Sequence, residues 1–91
     1  MNWEVLYHPD VVKYDLPEIP NNIQTRLKKA IELRLFIDPV LSGGPLRKDL
    51  KGYRKMRVGD YRIIYRIEKN FIIILIIGHR KKVYSRVFQR I

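Results

Sequence analysis

Residues 71–78 read FIIILIIG, eight positions without a single polar side chain. Eight residues cannot cross a bilayer, which takes about 20 in a helix. The run therefore reads as a strand, central in its sheet or buried on both faces. A chain of 91 residues has room for one modest core, so residues 1–91 are expected to form a single domain built around this strand.

Two further strands precede it, over about 53–58 and 60–68. The joining segments, Val58-Gly59-Asp60 and Glu68-Lys69-Asn70, are short, so neighbouring strands should pair antiparallel. Near the N-terminus Trp3, Val5 and Tyr7 alternate as in a first strand. His8-Pro9-Asp10 then opens a short helix with Val11, Val12, Tyr14 and Leu16 on its apolar side. Pro17 and Pro20 interrupt it. A longer helix is expected from about Asn22 to Ile37, where Ile23, Leu27, Ala30, Ile31 and Leu35 form one stripe. Asp38-Pro39 ends it, and residues 41–45 (LSGGP) read as a flexible loop. Residues 79–91 finish as a short helix or an extended tail. The order β-α-α-β-β-β predicts a small α+β sandwich with a mostly antiparallel sheet. Helices are expected on one face, leaving a basic concave face open.

Apolar content of 46% argues against wholesale disorder. The chain has no cysteine and two histidines, which removes disulfides and makes a zinc site improbable. Nothing calls for a cofactor or a metal. No basic segment followed by an apolar stretch opens the sequence, so no signal peptide is read there, and a cytoplasmic location fits.

Charge divides the chain sharply. Residues 1–46 hold five basic and six acidic side chains, whereas residues 47–91 hold fourteen basic and three acidic, a net of +11. Such a field usually meets nucleic acid, with an anionic membrane or an acidic protein as alternatives. Alternation along the strands places it. If Tyr61, Ile63, Tyr65 and Ile67 meet the helices, Lys55, Arg57, Arg62 and Arg66 line the opposite face. Gly78 puts His79 and Arg80 beside that face, and Tyr84 can return towards it.

The stretches LKGYRKMRVGDYRIIYRI (50–67) and IIGHRKKVY (76–84) resemble the RelE toxins of the RelE/ParE superfamily of toxin–antitoxin operons. The similarity runs from the first strand to about Phe88. It implies an endoribonuclease that cuts mRNA in the ribosomal A site and inhibits translation, held in check by an acidic, RelB-like antitoxin. It further implies a site of basic residues on the open sheet face plus a C-terminal tyrosine. The family's positions fall on Lys51, Lys55, Arg57, Arg62, Arg80 and Tyr84. One departs from the pattern: Arg57 stands where lysine is common, and a guanidinium, which stays protonated in proteins, is a poor base.

RNA cleavage by the 2′-oxygen needs a base for the 2′-hydroxyl proton, cations for the crowded phosphorane oxygens and an acid for the 5′-oxygen. Like charges make a lysine give up its proton more readily, so Lys55, between Arg57 and Arg62, serves as base or as a phosphate contact. Arg57 and Arg62 suit phosphate oxygens through the guanidinium fork. Arg80 supplies a proton or a clamp. Histidine titrates near neutrality, but the side chain of His79 should alternate away from that of Arg80; it reaches the RNA or closes the strand. Tyr84 stacks on a base or packs within the tail. Lys28, Lys29, Lys81, Lys82, Arg86 and Arg90 contact rRNA phosphates or form solvated faces. Two other functions share these residues: a ParE-like inhibitor of DNA gyrase, and a catalytically weak relative that only binds antitoxin or RNA.

Overall fold

The computed structural model describes residues 3–46 and 50–91. Its framework is a five-stranded sheet. β1 (Glu4–Tyr7), β2 (Gly44–Pro45), β3 (Tyr53–Val58), β4 (Tyr61–Glu68) and β5 (Phe71–His79) lie in the spatial order β1-β5-β4-β3-β2. The all-apolar run is β5. It is an interior strand, antiparallel to β4 and parallel to β1, while β4 occupies the centre. Ile72, Ile74, Leu75, Ile76 and Ile77 are all buried, which accounts for a strand with no polar residue before its last, His79. The β3–β4 connection is the two-residue turn Gly59-Asp60, with Gly59 at φ +58°, a conformation that glycine adopts without strain.

One face of the sheet carries the helical layer predicted from the stripe. A wide helical turn over Val11–Asp15 runs into a tighter one at Leu16–Glu18. After Pro20 comes α1 (Asn21–Ala30), which widens into one further turn at Ile31–Leu35. Val11, Leu27, Ile31 and Leu35 pack on Met56, Ile63, Tyr65, Ile72, Ile74 and Ile77. The amide of Gln24 donates to the carbonyls of Leu16 (2.8 Å) and Ile19 (2.9 Å), closing the proline-rich corner. Beyond the helix end, the Ser42 hydroxyl lies 2.7 Å from the Arg34 carbonyl and 2.6 Å from the Asp38 carbonyl, which also accept the N–H groups of Asp38 and Ser42. The Tyr65 hydroxyl, which burial pushes above its ordinary pKa, donates to the Pro39 carbonyl at 2.7 Å.

The opposite face is open only in part, a departure from the expectation of helices on one side. The tail forms α2 (Val83–Arg90), and Val83 and Val87 pack there on Leu50, Ile64, Leu75 and Ile76. The cause is an irregularity opposite Ile64 and Tyr65: Ile64 pairs with Ile76, but Tyr65 pairs with Ile74. Leu75 is the extra residue, and Leu75 and Ile76 both turn to the α2 side. A bulge of this kind interrupts strict alternation. It creates an apolar seat that strand periodicity does not predict. Burying each valine contributes roughly 2 kcal/mol. An eight-residue helix is too short to be stable alone, so α2 depends on this seat. A Cβ on Gly78 would lie 3.3 Å from the Cβ of Val83, so the glycine admits the start of α2 against the sheet.

Candidate functional site

Because Met56 faces the helical layer, its neighbours Lys55 and Arg57 face the other way. Ile63 and Tyr65 fix β4 in the same manner, which sends Arg62 to the α2 side. Lys55 is registered opposite Ile64, and Arg57 stands directly opposite Arg62. The seat of α2 lies beside them, so the Lys55 ammonium sits 5.6 Å from the centroid of the Tyr84 ring. The Arg62 guanidinium folds back along its own turn: Nη1 donates to the carbonyls of Gly59 and Tyr61, each at 2.9 Å.

Arg80 reaches the same end of the sheet by a link between two turns. Its backbone N–H donates to the Asp60 carbonyl at 2.8 Å, and its Nε lies 3.4 Å from Asp60 Oδ1. Asp60 therefore has a role that sequence reasoning did not give it. The adjacent Gly-Asp turn was the available signal, but only the fold brings residue 80 against it. Arg66, on the same face as Arg62, pairs with Glu68 at 3.0 Å. Among the described residues, no carboxylate lies within ion-pair distance of Lys55, Arg57 or Arg62.

Lys55, Arg57, Arg62 and Tyr84 thus share the α2 side of the sheet, and Arg80 joins Arg62 at the β3–β4 turn. Lys51 is exposed in the turn leading to β3, beside Gly52 at φ +85°. Lys81 and Lys82 are exposed just after Arg80. Two proposed RNA contacts lie elsewhere. His79 is registered opposite Tyr61 on the helical side, edge-on to its ring at 5.5 Å. Its Nδ1 accepts the Lys81 N–H at 3.2 Å, so the imidazole closes the turn. Arg86 lies on the flank of α2 away from Tyr84 and pairs with Glu18 at 2.9 Å. The hydrogen bond and positive charge from Arg86 hold the Glu18 carboxyl below its ordinary pKa. Arg90 on the same flank is largely buried and reaches Asp15 at 2.5 Å. Asp15 also accepts the Ile77 N–H at 2.9 Å.

Chemically, the cluster can bind and stabilise an anion with several oxygens, because guanidinium forks match such groups. Among the described residues, no group of three His, Asp or Glu is placed to hold a metal ion. No helix among them is long and apolar enough to cross a membrane.

The family model for the ParE toxin of the parDE type II toxin–antitoxin system matches residues 5–84. Toxin RelG of Mycobacterium tuberculosis is 35% identical over 74 residues, covering 79% of this chain and 85% of that toxin. The M. tuberculosis toxin–antitoxin complex RelBE2 contains a chain of similar structure: TM-score 0.80, 29% identity, 88% of this chain and 100% of that chain covered. A chain of the RelB–RelE antitoxin–toxin complex of Methanococcus jannaschii gives a TM-score of 0.69 at 30% identity, covering 88% of this chain and 95% of that one.

Proposed function

The chain belongs to the RelE/ParE family of type II toxins, and on that premise we propose that it is a ribosome-dependent mRNA endoribonuclease. The observation that carries this reading is the cluster itself, in which Lys55, Arg57 and Arg62 have no carboxylate partner among the described residues. Arg57 and Arg62 face one another, with Lys55 beside Tyr84 and Arg80 at the same end of the sheet.

In the proposed reaction the 2′-oxygen attacks the adjacent phosphorus, and the bond from phosphorus to the 5′-oxygen breaks. The products are a 2′,3′-cyclic phosphate and a 5′-hydroxyl. Lys55 is the candidate acceptor of the 2′-hydroxyl proton. Arg57 and Arg62 stabilise the phosphorane oxygens, whose charge rises in the transition state. Arg80 clamps the phosphate or protonates the leaving oxygen. Tyr84, beside Lys55, offers a ring on which a base can stack. Lys51, Lys81 and Lys82 extend the positive field around this site. The partner of the free toxin is an acidic antitoxin. Structural relatives occur in complexes with RelB antitoxins, which supports that expectation.

Mapping mRNA 5′ ends after induction in cells tests the reading. Fresh ends inside codons are expected. Intact mRNA with broken chromosomes would instead indicate gyrase poisoning.

A further inference from the structure

Three guanidiniums meet at the Gly59-Asp60 turn, and one of them comes from the helical layer. Arg26 is exposed on α1, one residue before the buried Leu27. Its side chain reaches the turn: a Cβ on Gly59 would lie 3.1 Å from Arg26 Nη2 and 3.7 Å from Nη1. Arg62 approaches the same glycine through its carbonyl, at 2.9 Å. The two cations thus bracket one residue. The single carboxylate at the turn, Asp60, is engaged by Arg80, and none of the described carboxylates forms an ion pair with Arg26 or Arg62.

Arg34 provides an internal contrast. It also leaves the helical layer towards β3, but Nη1 donates to the Arg57 carbonyl (3.2 Å) and Nη2 to the Ser42 carbonyl (3.3 Å). Its fork ties a loop to the sheet. Arg26 is exposed and adds a further cation at a turn that Arg62 and Arg80 already occupy, with Asp60 the one carboxylate there. Fold stability gives no reason for that placement, since crowded like charges oppose it.

We infer that Arg26 is part of the RNA-binding surface and holds a phosphate outside the scissile position, where the strand passes around the end of the β3–β4 hairpin. This rests on the nuclease reading for the identity of the polyanion. A phosphodiester chain carries a charge at every nucleotide, so one strand crossing the turn meets the sheet-face arginines and then Arg26. The guanidinium fork suits successive phosphates. Gly59 has two roles here: it accepts the positive φ of the turn, and it leaves room for Arg26 where a side chain would crowd it.

The test uses the full chain and a short single-stranded RNA with 2′-O-methyl sugars, which cannot be cut by this route. Binding is followed by fluorescence anisotropy over a salt series for wild type, Arg26→Gln, Arg26→Lys and Lys69→Gln. Lys69 lies in the turn at the opposite end of β4 and serves as the charge-matched control. Loss of one phosphate contact should reduce the slope of log affinity against log salt by about 0.7 in Arg26→Gln. Arg26→Lys should keep most of the slope, and Lys69→Gln should keep all of it. On ribosomes, Arg26→Gln should raise the concentration needed for half-maximal cleavage more than it lowers the maximal single-turnover rate.

A wild-type slope in Arg26→Gln overturns the inference, as does an equal fall in Lys69→Gln or wild-type protein that does not bind the oligonucleotide. Weakened binding of a poly-glutamate peptide by Arg26→Gln, with RNA binding intact, also overturns it and assigns the surface to an acidic protein. A reduced slope in a protein that cuts no mRNA keeps the phosphate site and removes the nuclease reading. Normal cutting with an unchanged slope does the reverse.

Discussion

Arg57 and Arg62 stand directly opposite each other across the β3–β4 ladder, two like charges with no carboxylate partner among the described residues. Like charges in this relation destabilise a sheet by about 0.2–1 kcal/mol. A fold selected for stability alone would replace one of them. Arg57→Gln is therefore expected to raise the melting temperature by a few degrees at low salt while slowing mRNA cleavage. The stability gain should shrink as salt approaches about 1 M, where the screening length falls to about 3 Å. A variant less stable than wild type at low salt would show that the arginine pair is not under repulsion.

If the cluster acts on the transition state, Arg62→Ala and Arg80→Ala should each slow single-turnover cleavage on the ribosome by orders of magnitude, with a much smaller loss of ribosome affinity. Lys82→Ala, in the exposed turn, should weaken binding more than rate. Lys55→Ala should both slow the reaction and change the shape of its pH profile, as loss of a general base does. A slower reaction with the wild-type profile would make Lys55 a phosphate contact. An mRNA with 2′-deoxyribose at the scissile nucleotide should not be cut.

The Arg90–Asp15 pair ties α2 to the body of the protein, with Asp15 only 3% exposed. Arg90→Met would leave a buried carboxylate without its cation, at a cost of about 3–5 kcal/mol. Urea denaturation should show this as a large fall in midpoint. Asp15→Leu combined with Arg90→Met should recover part of the loss. Recovery should be incomplete, because the Ile77 N–H loses its acceptor.

Arg86→Ala should lower the melting temperature slightly at neutral pH and have no such effect in acid. Arg86 depresses the folded-state pKa of Glu18, so this contribution is present above the ordinary carboxylate range. It disappears as pH falls through the depressed value. Melts of both proteins across that range check the sign. A difference that grows in acid would contradict it.

The sequence alone determined the local elements and the faces of the hairpin. Periods of two and 3.6 residues are properties of consecutive side chains, so Lys55, Arg57 and Arg62 could be placed opposite Met56, Ile63 and Tyr65. The resemblance carried by the two C-terminal motifs pointed to the toxin family. Tertiary structure decided what joins residues distant in the chain. The bulge at Leu75 turns an extra apolar residue towards α2 and closes part of a face that alternation leaves open. Asp60 meets Arg80, Asp15 meets Arg90, and Arg26 comes to rest on Gly59. His79 and Arg86, both read as RNA contacts, also meet Tyr61 and Glu18, partners that alternation along the chain does not show. No periodicity encodes such meetings, because they depend on how whole elements pack, and a one-residue change of register sends a side chain to the opposite face of the sheet.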